Sequence, residues 1–79
     1  MKQPLKIRVL EALEGRGWVN VPLLSMLAEF RPARAVYIYM ERLRRWGLVR
    51  RRRVPGYLVT YSISDRGQAR LEWLRENAK

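Results

Sequence analysis

Proline and glycine punctuate this 79-residue chain so closely that the longest stretch free of both is residues 33–46. The breaks fall at Pro4, Gly15 and Gly17, Pro22, Pro32, Gly47, Pro55-Gly56 and Gly67. Proline removes a backbone donor and fixes φ, and glycine commonly ends a helix, so each break limits the element that could run through it. What remains is a set of short segments that must share one core. A chain of this length reads as one small domain, 1–79, which buries only about 60–65% of the surface its unfolded form exposes. It leaves no room for a catalytic domain beside a ligand-sensing one. No apolar run approaches the roughly 18 residues of a spanning helix. Charges at Lys2, Lys6, Arg8, Glu11 and Glu14 interrupt the N-terminal stretch where a signal peptide needs an apolar core. A cytoplasmic protein is the expectation.

Between the breaks, periodicity assigns the elements. Pro4 suits a first helical position, and Leu5, Val9, Leu10 and Leu13 form an apolar face over 4–14, which Gly15 and Gly17 stop. Residues 18–21 read as a short extended stretch. Residues 22–30 make a second helix capped by Asn20 or Val21, offering Leu23, Leu24, Leu27 and Phe30 to a core. Residues 33–46 carry the longest helical pattern. Val36, Met40 and Leu43 lie within about 60° of each other, with Tyr39 and Trp46 flanking. Arg34, Ile38, Glu41 and Arg45 face the other way, with Tyr37 and Arg44 along one edge. Runs 48–54 and 57–63 around Pro55-Gly56 suggest a hairpin, the second run alternating with Tyr57, Val59, Tyr61 and Ile63 on one face. Ser64-Asp65 then caps a last helix, about 65–77, with Leu71, Leu74 and Ala78 apolar and Gly67 permitting close approach. About three residues separate the second and third helices, the length of a helix-turn-helix connection.

Composition narrows the function. There are 17 Lys and Arg against 7 Asp and Glu, a formal charge of +10, with no histidine and no cysteine. Disulfides, thiol chemistry and the usual zinc, copper and haem ligands are excluded, and so is the ordinary general base near neutral pH. Ser25 has no histidine partner, no glycine pattern for binding a nucleotide is present, and the acidic residues form no paired-carboxylate site. The chain reads as a non-enzyme without metal or cofactor. A soluble domain this basic points to a polyanion. Abundant arginine, few Asn and Gln and no Cys agree with a thermophilic source.

Two stretches carry a family likeness. One is Glu41-Arg42-Leu43-Arg44-Arg45-Trp46-Gly47-Leu48-Val49-Arg50-Arg51. The other is Tyr61-Ser62-Ile63-Ser64-Asp65-Arg66-Gly67. With the element order, they make the chain resemble the winged helix-turn-helix superfamily, most like small MarR-like or PadR-like regulators. The resemblance implies an α+β, mostly helical fold: a three-helix core, a small β-hairpin wing and a C-terminal helix. It makes 33–46 the recognition helix and 48–63 the wing. The chain departs from the family at Trp46, usually polar, and at Tyr37 and Ile38, usually short and polar. It also lacks the long flanking helices on which many such regulators dimerise and bind effectors, so no small-molecule effector is expected.

The same resemblance implies double-stranded DNA as partner. Arg34, Tyr37, Ile38, Glu41, Arg42 and Arg45 would face the major groove, and Arg31 would also contact the DNA. Arg50, Arg51, Arg52 and Arg53 would expose alternate side chains and reach the backbone from the wing. Between Glu41 and Asp65 there is no acid and there are seven arginines. Ala69 and Trp73, off the apolar face of the last helix, suggest a homodimer contact. Trp18 reads as a core plug, and Tyr39, Met40 and Trp46 as core. Glu11, Glu14, Glu72 and Glu76 read as solvated helix charges. Two other readings stay open: a non-specific architectural DNA binder, and a protein-interaction winged-helix module using Tyr37 and Ile38.

Overall fold

The computed structural model describes residues 3–56 and 59–77. The elements are helix α1 (Leu5–Leu13), strand β1 (Val19–Asn20), helices α2 (Val21–Leu27) and α3 (Ala33–Arg45), strands β2 (Val49–Arg53) and β3 (Val59–Ile63), and helix α4 (Asp65–Asn77). The strands form one antiparallel sheet in the order β1-β3-β2, so β3 is central and β2 an edge. Tyr61 pairs with Val19 on one side and Arg51 on the other. Four helices with a small three-stranded sheet give the mostly helical α+β architecture that the sequence implies.

One core holds these elements together. Val9, Leu10 and Leu13 of α1, Leu24 of α2, Val36, Met40 and Leu43 of α3, Tyr61 of β3 and Leu71 of α4 are all fully buried. Each such aliphatic side chain contributes about 1.5–3 kcal/mol by leaving water. Helix α1 is buried more widely than its apolar stripe predicts, because Ile7 and Ala12 are enclosed too. It packs against α2, α4 and β3 at once. In α2, by contrast, only Leu24 is buried, and Leu23, read as available to the core, is exposed.

Local chemistry sets the element ends. Asn20 caps α2, its side-chain oxygen accepting the N–H of Leu23 at 2.9 Å. Helix α2 stops at Leu27, short of the predicted Phe30. Glu29 turns to φ 52, and Ser25 closes the turn by donating to the Phe30 carbonyl at 2.6 Å. The connection to α3 therefore spans residues 28–32, longer than the three residues the spacing suggested. Ser64 caps α4: its Oγ accepts the N–H of Gly67 at 3.0 Å and donates to the Gly47 carbonyl at 2.7 Å. The Ser64 N–H bonds the Leu48 carbonyl at 3.1 Å. Gly67 lies directly against that carbonyl, where a Cβ would collide with it. The two stretches that carry the family likeness thus dock on each other.

Several burial expectations are corrected. Trp18 and Trp46 are not core: they are 38% and 47% exposed. Val19 fills the core at the short strand instead, and the turn at Gly47 leaves Trp46 outside. Tyr39 is half-buried, edge-on to Phe30 at 5.9 Å, while Met40 is core as predicted. Arg50, Arg51, Arg52 and Arg53 are all exposed rather than alternating, because β2 is an edge strand anchored only at Val49. Glu11 and Glu14 are not free charges: both clamp Arg75 of α4. The predicted placements of Tyr57 and Ala78 lie outside the described residues.

Candidate nucleic-acid interface

Helix α3 presents one face to the core and the other to solvent. Its first turn contains no acid, and Pro32 at its N-cap supplies no side-chain hydrogen bond. The positive end of the helix therefore stands open between Arg31 and Arg34, both exposed. Ile38 follows at 52% exposure, beside the exposed Tyr37. Tyr37, Ile38, Glu41, Arg42 and Arg45 line one shallow depression of about 390 Å³. Arg42, Arg44 and Arg45 occupy the last turn, where cations complement the helix dipole.

Glu41 lines this depression with the other residues predicted to face the groove, but its carboxylate is engaged. Its side chain is only 17% exposed and is held by three partners rather than offered to the groove. Arg44 of α3 donates from Nε at 3.1 Å and from Nη2 at 2.9 Å. Arg51 of β2 donates from Nη1 at 3.2 Å, and the hydroxyl of the buried Tyr61 donates at 2.7 Å. Burial alone would raise the Glu41 carboxyl, but the hydrogen bonds from Arg44 and Tyr61 and the charge of Arg51 outweigh it and hold it below the usual carboxylate range. Burial, then the bond to Glu41, pushes the Tyr61 hydroxyl well above an ordinary tyrosine. A single carboxylate thus joins α3, the edge strand and the central strand.

The four wing arginines consequently have different duties. Arg51 sits opposite Tyr61 in the ladder, on the face turned to the helices, and is tied to Glu41. Arg52 pairs with Thr60 on the other face and lies over the Trp18 ring at 4.5 Å. Arg50 and Arg53 have no ion-pair partner among the described residues. Trp18 was missed as a neighbour of this surface, and Arg44, counted among its seven arginines, was not foreseen as a partner of Glu41. Only the sheet order brings Trp18 beside Arg52, 34 positions away in sequence.

Neither a family model nor a curated protein sequence matches the chain. Solved structures do match. The YusO protein from Bacillus subtilis superposes at TM-score 0.78 with 24% identity, over 89% of this chain and 50% of its own. The MarR family transcriptional regulator SPO1453 from Silicibacter pomeroyi DSS-3 does so at 0.76 and 23%, over 94% of this chain and 52% of its own. Reduced HlyU from Vibrio cholerae N16961 does so at 0.72 and 27%, over 94% of this chain and 76% of its own. The chain spans about half the length of the first two. The protein has the winged helix-turn-helix fold, and its structural neighbours include MarR-family regulators. Among the described residues no helix is long and apolar enough to cross a membrane, and no cluster of metal-ligating side chains occurs.

Proposed function

We propose that this protein is a DNA-binding transcription regulator that lays α3 in the major groove and sets the arginine-rich wing on the backbone. One observation carries the reading. Glu41, the acid bordering the acid-free stretch, is turned inward and consumed by Arg44, Arg51 and Tyr61. The outward surface from Arg31 and Arg34 through Arg42 and Arg45 to Arg50, Arg52 and Arg53 is left cationic. Guanidinium forks match phosphate oxygens, and each neutralised phosphate contributes about −0.9 to the slope of log K against log salt. Arg34 is assigned a bidentate contact to guanine and Ile38 a thymine methyl, with about 1–3 kcal/mol of discrimination for a good bidentate pair.

Ala69 and Trp73 lie on one exposed stripe of α4 and are assigned to a homodimer contact. An antiparallel crossing centred on Trp73 would place Arg70 of one copy opposite Glu76 of the other. Two recognition helices would then meet half-sites about 34 Å apart.

Selection from random duplexes across a salt series tests this function. An enriched, two-fold symmetric motif and a steep salt dependence are expected. Equal affinity for unrelated duplexes would replace it with architectural binding. The exposure of Tyr37 and Ile38 favours a second reading, protein docking on α3. In that case Tyr37→Ser with Ile38→Ser leaves DNA affinity unchanged.

A further inference from the structure

Beside the groove-facing surface, and sharing Arg45 with it, three elements converge on a second cationic feature. Lys6 of α1, Arg45 and Trp46 at the end of α3, Leu48 before β2, and Arg66 and Arg70 of α4 line a depression of about 430 Å³. No acid lines it, and none of its four cations is in an ion pair among the described residues. Arg66 stands in the first turn of α4, where the positive end of the helix dipole disfavours a cation, and Arg70 one turn further on. The acid of that turn, Asp65, does not line the depression. Lys6 Nζ sits over the Trp46 ring at 4.8 Å, leaving the indole half in solvent above the buried Leu48. A neighbouring depression of about 300 Å³ shares Arg66 and Arg70 and adds Ala69 and Trp73, the latter 54% exposed.

We propose that the Trp46 depression docks an acidic segment of a partner protein that carries an apolar anchor residue. Four unpaired cations around one cavity repel one another, and an occupant bearing carboxylates relieves that repulsion. The same charge opposes a second copy of this face. The exposed indole beside arginine distinguishes the surface from a simple phosphate track. Trp and Arg are the residues that concentrate binding energy in protein interfaces, and an apolar anchor on the indole excludes water from the charge pairs around it. Backbone phosphates would use the cations and leave the indole exposed. Arg45 borders both this depression and the groove-facing one, but Lys6, Arg66 and Arg70 lie on α1 and α4, so the docking role is separable from DNA binding by mutation.

The test follows the Trp46 indole N–H resonance of the labelled full chain, assigned by its loss in Trp46→Phe. Four probes are titrated: a peptide with one phenylalanine between two short runs of glutamate, the same peptide with serine for phenylalanine, inorganic phosphate, and an unrelated DNA duplex. The phenylalanine peptide is expected to shift the Trp46 signal and bind about tenfold more tightly than the serine peptide. Arg66→Glu with Arg70→Glu should abolish this binding while leaving the melting curve two-state, since both side chains are exposed. Arg34→Ala should leave it unchanged. An unmoved Trp46 signal overturns the proposal. So does an equal shift of the Trp46 signal by the serine peptide, phosphate or duplex, which would mark a phosphate or general anion site. A concentration-driven shift that persists in Trp73→Ser would also overturn it, because a second copy not held through the Trp73 stripe would then be the occupant.

Discussion

Glu41 and Arg75 perform the same operation with opposite charge and in different surroundings. Arg75 of α4 reaches back to α1 and is gripped by Glu11 and Glu14, with Nη2 at 3.0 Å from Glu11 and 2.6 Å from Glu14. Gln68 donates to Glu14 at 2.7 Å beside it. Glu41 gathers two arginines and a tyrosine that reaches it from the core. The Arg75 clamp lies in solvent, where water competes for every partner. The Glu41 clamp is partly covered, and Tyr61 below it is fully enclosed. An exposed ion pair contributes little, whereas unpairing a shielded group leaves its desolvation uncompensated. The α1–α4 face thus spends its acids on its own arginine, and the α3–wing face hides its one acid and displays the remaining cations.

Glu41→Ala should produce the largest effect in this comparison. It strips partners from the Tyr61 hydroxyl, Arg44 and Arg51 together, and a stability loss of about 1–3 kcal/mol is expected from urea unfolding. The wing should also loosen from α3, seen as faster amide exchange at Arg51 and Tyr61 and as weaker binding to every duplex. Tyr61→Phe keeps the packing and removes one charged hydrogen bond, so about 1–1.5 kcal/mol is expected. An equal loss in the two variants would mean that the arginines add nothing.

Acid titration sharpens the contrast. Hydrogen bonds from Arg75 and then Gln68 hold the Glu14 carboxyl low, and Glu41 is also held low. Both folded values lie below those of the unfolded chain, about 4.3 for glutamate. The stability these groups lend is therefore complete above that value and is lost as pH falls through the lower folded values. Glu41→Gln should flatten the fall in urea midpoint on acidification more than Glu14→Gln does. A larger flattening by Glu14→Gln would reverse the ranking of the two clamps.

Smaller effects follow at the exposed sites. Arg75→Ala should move the urea midpoint less than Tyr61→Phe, and salt should erase the difference from the parent chain. Arg52→Ala removes the cation over Trp18 and should cost about 0.5 kcal/mol, while weakening duplex binding alike for all sequences. Comparison with Arg53→Ala isolates the indole: Trp18 fluorescence should change only in the first variant.

Much of this architecture is legible in the sequence. Proline, glycine and helical spacing placed the elements, with α3 at Ala33–Arg45 against a predicted 33–46. The cap of α2 was narrowed to Asn20 or Val21, of which Asn20 serves, and Gly67 announced its close approach. These signals are local: they depend on φ, on a side chain within three residues, or on apolar spacing along one element. The misreadings arose where partners are distant. Glu41 borders the face the helical wheel assigned to it, but nothing in its own helix reveals that its carboxylate is tied to a tyrosine 20 positions away. Trp18 and Trp46 looked like core because a large indole next to a strand or helix end has no local signal for exposure. Arg75 and Glu14 are 61 positions apart and meet only when α4 lies on α1.

The sequence by itself therefore determined the elements, their order and the excess of positive charge, since each follows from bonded neighbours and composition. Tertiary structure decided which charges are spent and which remain available. A charge acquires a partner only when the chain brings one within a few ångströms. Here the β1-β3-β2 pairing, the packing of α4 on α1 and the burial of Tyr61 made that selection.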